Sequence, residues 1–326
     1  MTQQTKVDKI YDYYMANPSE SLRSIGCKHQ TSHAQVKRVL ERKGVYPRYK
    51  ANKGNDYEDI SGVSFFKNIT LNIKHFNKTE LIFADLHIPY HEPNIIASVL
   101  EYTKSMHPDY VVYLGDVIDF YQISSWNKNP EEFNVDHELY QGRQFLTESK
   151  DYFGDAIHYY IEGNHEKRLK SFLFSKAPQL SSLRALQLGA PDMLDLDALD
   201  IEYIQTREWM LTYDEPFRIG KLYHLHGHEL MGSGSVVHIA RNTLLKTLDN
   251  ILIGHHHRVQ NHIEHGIGKE KLVGAWSVGC MCNLHPDFMP INNWMHGFAE
   301  VHYADDGRFQ VINHSIYKQD GEILIF

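Results

Sequence analysis

The sequence predicts an α/β protein preceded by a small all-α head. Five short runs rich in β-branched, aromatic and other apolar residues each stop at a cluster of carboxylate, amide or imidazole side chains. That pattern reads as buried strands delivering polar groups to the C-terminal edge of a sheet, where α/β proteins place their ligands. Longer segments of helical character separate several of these runs. Ahead of them all, about 40 residues carry three short amphipathic periods.

In chain order, Val7, Ile10, Tyr11 and Tyr14 fall at i, i+3, i+4 and i+7, one face of a first helix. Asn17-Pro18-Ser19 ends it. Leu22 and Ile25 mark a second helix, closing near Gly26. Ser32 with Gln35 three residues on is a capping-box start, and Val36, Val39 and Leu40 form the next stripe, stopped at Gly44. Three such helices resemble a helix-turn-helix domain. The third would enter the DNA major groove, presenting His33 together with the DNA-binding candidates Gln35, Lys37, Arg38 and Arg42. The alternative for these helices is a bundle used for oligomerisation or protein docking. The head is expected over residues 1–50, a linker over 51–62 following Pro47 and containing Gly54, and the larger domain over 63–326.

In the larger domain, Ile69, Leu71 and Ile73 alternate with polar residues as a strand would. Asn77-Lys78-Thr79 turns into the run 81–84, which ends at Asp85-Leu86-His87. The run 110–114 leads to Gly115-Asp116-Val117-Ile118-Asp119; Gly115 permits a tight exit from the strand. Residues 120–155 read as helical, with an exposed loop at Trp126-Asn127-Lys128-Asn129-Pro130. The run 157–161 leads to Gly163-Asn164-His165-Glu166, and 166–199 again reads as mostly helical. Runs 222–225 and 251–253 lead to His226-Gly227-His228 and Gly254-His255-His256-His257. Ala304-Asp305-Asp306-Gly307 is a hairpin turn between the segments 298–303 and 308–313.

At 326 residues and 42% hydrophobic, the chain can bury one large core or two unequal ones. It has no run of about 18 apolar residues and its N-terminus has no apolar signal region. Three cysteines suit a reducing compartment, so a cytoplasmic location is expected. The net charge of −8 hides an asymmetry: residues 21–53 hold nine basic side chains against the single acid Glu41. A basic head on an acidic body points to a polyanionic partner for the head.

Asp85-x-His87, Gly115-Asp116-x-x-Asp119, Gly163-Asn164-His165-Glu166, His226-Gly227 and Gly254-His255-x-His257, in that order and each after an expected strand, resemble the calcineurin-like metallophosphoesterase superfamily. The resemblance covers roughly residues 81–303. It implies a four-layer α/β/β/α sandwich of two mixed sheets. It also implies two divalent ions, one held by Asp85, His87, His257 and Asp116, the other by Asp116, Asn164, His226 and His255. Between them a water would lose its proton and attack phosphorus in line. His165 would act as proton donor or transition-state stabiliser, and Asp119 would pair with it. Mixed Asp, Asn and His ligands suit Mn²⁺ first, with Fe²⁺ or Zn²⁺ as alternatives.

His228 and His256 read as supporting or surface residues, Glu166 as a helix N-terminal acid, and Cys280 and Cys282 as buried thiols. The family's protein phosphatases carry an Arg where this chain has Phe120, and a second Gly where it has His228; Ile88 also departs from a common Gly. These departures point away from phosphoprotein substrates and towards phosphodiesters. With the basic head to concentrate an acidic body at a polyanion, a nuclease acting on DNA is expected. Its rivals are an enzyme for small nucleotides and a DNA-binding regulator with an inactive phosphoesterase body.

Overall fold

Period-two alternation organises the larger unit. In β1 (Lys78–Phe83) and its extension, Leu81 and Phe83 enter one core while Ile82 and Ala84 enter another. The computed structural model describes residues 6–17, 20–43, 45, 76–124, 134–181, 188–230, 237–265 and 272–326. They fall into two compact units, Met1–Asn77 and Lys78–Phe326.

The first unit contains α1 (Lys6–Ala16), α2 (Leu22–Lys28) and α3 (His33–Arg42), packed around Ile10, Ile25, Val36, Val39 and Leu40. Ser21 and Ser32 cap α2 and α3, the Ser32 hydroxyl accepting the Gln35 amide at 3.2 Å. Gly26 does not end α2. It lies inside the helix, where an added Cβ would come within 2.7 Å of the Thr31 carbonyl oxygen in the turn before α3. The stop expected at Gly44, the linker at 51–62 and the strand at Ile69–Leu71–Ile73 lie outside the described residues.

The second unit continues with α4 (Pro93–Tyr102), β2 (Tyr110–Tyr113), a 3₁₀ turn at Tyr121–Ile123, α5 (Val135–Phe153), β3 (Ile157–Ile161), α6 (Glu166–Lys176), α7 (Pro178–Ser181), α8 (Ala190–Met193), β4 (Ile201–Ile204) and α9 (Thr206–Tyr213). There follow β5 (Arg218–Ile219), β6 (Leu222–Leu225), α10 (Ile239–Thr247), β7 (Ile251–Ile253), β8 (Gln260–His265), β9 (Leu272–Ser277), β10 (His296–Tyr303), β11 (Phe309–Gln319) and β12 (Glu322–Ile325). The exposed loop expected at 126–130 is outside the described residues. The hairpin expected at Ala304–Gly307 joins β10 and β11, which pair antiparallel with Tyr303 opposite Phe309.

Two sheets form. One runs β12-β11-β10-β1-β2-β3-β4, with β1 to β4 mutually parallel and β10 to β12 antiparallel. The other runs β5-β6-β7-β9-β8, with β6, β7 and β9 parallel. Leu81, Phe83, Val111 and Tyr113 pack against α4 and α5 through Ile95, Val99, Leu146 and Phe153. On the opposite face, Ile82, Val112, Leu114 and Ile161 meet Leu222, Leu252 and Trp276 of the second sheet. The outer face of that sheet buries Leu225, Ile251 and Ile253 against Ile239 and Leu244 of α10. This is the α/β/β/α order implied by the resemblance. Among the described residues no helix is long and apolar enough to cross a membrane.

Candidate metal centre

Five strands end at one place. β1, β2 and β3 are adjacent and parallel in the first sheet, and β6 and β7 in the second. Their exits carry Asp85 and His87, Asp116 and Asp119, Asn164 and His165, His226, and His255 and His257. Asp85, His87, Asp116, His226 and His257 are all buried. Buried carboxylates and imidazoles in this number require pairing or a cation.

The backbone is bent to present them. Asp85, His87, Asp116, His255 and His257 all adopt left-handed conformations, with φ of 53°, 50°, 51°, 67° and 54°. Asp and His enter this region more readily than most residues, but each instance costs energy and such outliers gather at functional sites. Gly115 leaves β2 at φ 90°, and an added Cβ there would overlap the His226 ring. At Gly163 a Cβ would overlap Asp116 Oδ1.

The ligand atoms form adjoining groups. His226 Nε2 lies 3.1 Å from Asp116 Oδ2 and 3.2 Å from Asn164 Oδ1. Ligand atoms of Asp116, His226 and His255 fall within 4.8 Å of one another. On the other side, His257 Nε2 is 3.2 Å from Asp85 Oδ1, and His87 Nε2 is 3.8 Å from Asp116 Oδ2. Asp85, His87 and Asp116 form a second group within the same span. Asp116 belongs to both. Its Oδ1 accepts the His165 amide at 2.8 Å, which leaves Oδ2 toward the imidazoles.

The donor set fits metal ions on its own geometry. His87 and His257 oppose their Nε2 atoms at 3.1 Å. The His87 Nδ1 lies 3.0 Å from Asp119 Oδ2, where it donates its proton, and the His257 Nδ1 faces Cys282 Sγ at 3.8 Å. The two Nε2 atoms thus face each other beside the Asp85 and Asp116 carboxylates, where a shared cation would be held. His226 Nδ1 donates to the Leu114 carbonyl at 2.7 Å, so its Nε2 is aimed at the acceptors of Asp116 and Asn164. The His255 Nδ1 is buried without a hydrogen-bond partner.

The buried carboxylates and imidazoles shift one another's protonation. Burial by itself would push His226 down, but the Asp116 carboxylate outweighs it and pushes His226 up to about 10. Burial would raise Asp116, yet His165, His226 and His87 hold it well below the usual carboxylate range. Burial also opposes the ionised form of Asp85, and His257 beside it keeps that group low. His255, pushed down to about 3 by burial and then by His226, is a neutral ligand-type imidazole. His228, pushed down to about 4 chiefly by burial, has its ring centroid 5.4 Å from that of His226 and accepts from Lys167 at 2.6 Å.

His165 stands at the rim, its Nε2 3.7 Å from Asp116 Oδ2. Asp119 holds it differently from a simple carboxylate pair. The His165 Nδ1 donates to the Asp119 backbone carbonyl at 2.8 Å, with the carboxylate Oδ2 at 3.4 Å and shared with His87. Burial lowers His165, but Asp116 and Asp119 together raise it above the ordinary imidazole value.

Three residues at the site take roles that the sequence did not assign them. Glu166, the first residue of α6, turns its carboxylate inward. It accepts the amides of Asp116, Val117, Ile118 and Gly163 and the Tyr160 hydroxyl at 2.7–3.3 Å. Glu138 of α5 is fully buried, accepts the Tyr121 amide at 3.1 Å, and is pushed up to about 8 by burial and then by Asp119. Arg168 donates to the Asp119 carbonyl and to His165 Nε2, both at 2.8 Å. Cys280 and Cys282 are buried free thiols. Gln35, Lys37 and Arg38 are half-buried on α3 and Arg42 is exposed at its end.

No protein-family model matches the chain. It is 26% identical over 239 residues to the gene 54 protein of Mycobacterium phage L5, a match covering 68% of this chain and 88% of that protein. The gene 54 protein of Mycobacterium phage D29 is 25% identical over 240 residues, with the same coverage. Among solved structures, vacuolar protein sorting 29 from Cryptosporidium parvum matches with a TM-score of 0.41 and 14% identity, covering 77% of this chain and 97% of that one. A dimetal phosphatase from Danio rerio gives a TM-score of 0.40 and 11% identity (77% and 99% covered), and the nuclease MPE of Pseudomonas putida 0.33 and 13% (72% and 87%). These likenesses are distant.

Proposed function

We propose that the chain is a dinuclear metal-dependent phosphoesterase acting on phosphodiesters of DNA, with the basic head as its DNA contact. The observation that carries the catalytic part is the arrangement around Asp116: one carboxylate faces His87 on one side and His226 on the other, each with its Nε2 turned toward it. Asp85 and His257 complete one group, and Asn164 and His255 the other. These residues would hold two divalent ions, Mn²⁺ the expected pair, which when bound would supply Lewis acidity to activate water and to neutralise charge on the phosphoryl oxygens.

The chain's own residues do the rest. Asp116 is held by Glu166 through its amide and by the His165 amide through Oδ1, so it cannot swing away from the junction. Asp119 fixes the tautomer of both His87 and His165 by accepting at Nδ1. That leaves His165 Nε2, which Arg168 meets at 2.8 Å, as the atom that would pass a proton to the departing oxygen once Arg168 releases it.

Support for DNA as substrate comes from the head. Its basic excess lies on and after α3, on an otherwise acidic chain, and the body would repel a polyanion by itself. The test is hydrolysis by the Mn²⁺-loaded full chain of DNA with defined ends, of cyclic dinucleotides and of mononucleotides. DNA cleavage is the expected result; intact DNA with turnover of a small nucleotide overturns the substrate assignment. Failure to bind Mn²⁺, Fe²⁺ or Zn²⁺ overturns the enzyme itself.

A further inference from the structure

Arg168 brings a permanent positive charge against the residues assigned to proton transfer. One guanidinium nitrogen donates to the Asp119 carbonyl at 2.8 Å and lies 3.3 Å from its carboxylate; the other donates to His165 Nε2 at 2.8 Å. A guanidinium has five N–H donors, and these contacts engage only part of them. The side chain keeps 23% exposure while Asp119 and His165 keep 14% and 12%, so it reaches from the floor of the site to its rim.

The bond to His165 conflicts with catalysis as drawn. While Nε2 accepts from Arg168, it can neither take up nor deliver a proton. For His165 to act, Arg168 must find another acceptor, and the incoming phosphoryl group brings anionic oxygens to the adjoining space. Planar guanidinium donors match such oxygens closely. The Asp119 carbonyl meanwhile keeps the other nitrogen in place as a pivot.

We infer that Arg168 is a substrate-binding residue: on binding it exchanges His165 Nε2 for a non-bridging oxygen of the substrate's phosphoryl group, which also frees Nε2 for proton transfer. This rests on the phosphoesterase reading above. It assigns the site to esters that retain an anionic phosphoryl oxygen, and makes Arg168 both the anion contact and the release for His165.

The test uses the Mn²⁺-loaded full chain and two readouts: binding of inorganic phosphate by calorimetry, and kinetics on bis-p-nitrophenyl phosphate. Arg168→Gln should weaken phosphate binding and raise KM by roughly 10–100-fold, the range for a lost hydrogen bond to a charged group, with Mn²⁺ content unchanged. Arg168→Lys should recover part of the phosphate affinity, and His165→Ala should leave it near wild type while lowering kcat. The inference falls if Arg168→Gln keeps wild-type phosphate affinity and merely reduces kcat as His165→Ala does, because Arg168 would then only position His165. A wild-type chain that binds Mn²⁺ and phosphate but hydrolyses no ester refutes the phosphoesterase reading instead, and the phosphate affinities of the variants still decide the anion contact.

Discussion

Glu166 accepts the backbone amide of Asp116 at 3.1 Å, across 50 residues of sequence, and closes the exits of β2 and β3 onto each other. Its carboxylate is fully engaged, so the position tolerates no donor. Glu166→Gln would turn an N–H₂ toward one or more backbone amides, at about 1–3 kcal/mol for each buried group left unpaired. Displacing Asp116 should weaken Mn²⁺ binding by roughly 10–100-fold. Calorimetric Mn²⁺ titration and a thermal melt measure both effects; unchanged affinity would mean that Asp116 is held by other contacts.

Removing the shared carboxylate should be worse than removing a neighbour. Asp116→Ala is expected to lower bound Mn²⁺ below one ion per chain, whereas His228→Ala should retain two. Elemental analysis of the two purified variants after Mn²⁺ loading separates these outcomes.

His165→Ala should keep both ions and lose about 10²–10⁴-fold in kcat. The comparison that matters is rate per bound Mn²⁺. A near-normal rate would remove His165 from the reaction.

Glu138 gives a stability prediction with a definite sign. Its carboxyl is raised from 4.5 to about 8 in the folded chain. The native state therefore holds a proton that the unfolded state has lost between those values. Stability falls as pH rises through this window, by at most about 1.4 kcal/mol per pH unit from this group. Glu138→Gln should flatten that part of the stability profile, read from denaturant melts at pH 5 and pH 8.

For the head, replacing Lys37 and Arg42 by Ala should reduce the salt slope of DNA binding by about one for each lost phosphate contact. Hydrolysis of bis-p-nitrophenyl phosphate should stay the same. An unchanged slope would move the DNA contact elsewhere.

The strand runs were legible because a buried strand writes itself as a short apolar stretch, and a ligand-bearing exit follows it directly. Tyr110–Tyr113 leading to Gly115-Asp116 is the clearest case. The three helices of the head were legible from Ser32 and the spacing of Val36, Val39 and Leu40, although Gly26 misled: close approach of the Thr31 carbonyl, and not termination, explains it. Glu166 was visible only as the acid of a motif, because its partners Val117, Ile118 and Tyr160 come from other segments. Arg168 and Glu138 were invisible for the same reason. Their meaning lies in what α5 and α6 pack against, which no local pattern of residues records.

The seven candidate ligands are divided between two sheets: Asp85, His87, Asp116 and Asn164 leave one, and His226, His255 and His257 leave the other. A cation seated among them would be a rivet through both halves of the sandwich as well as a reagent. Loading should tighten the whole second unit by mass action, about 2.7 kcal/mol when free ion exceeds its dissociation constant a hundredfold. Chelation would then cost the protein mechanical coherence along with its chemistry, so the scarcity of one trace element could govern how long each molecule survives.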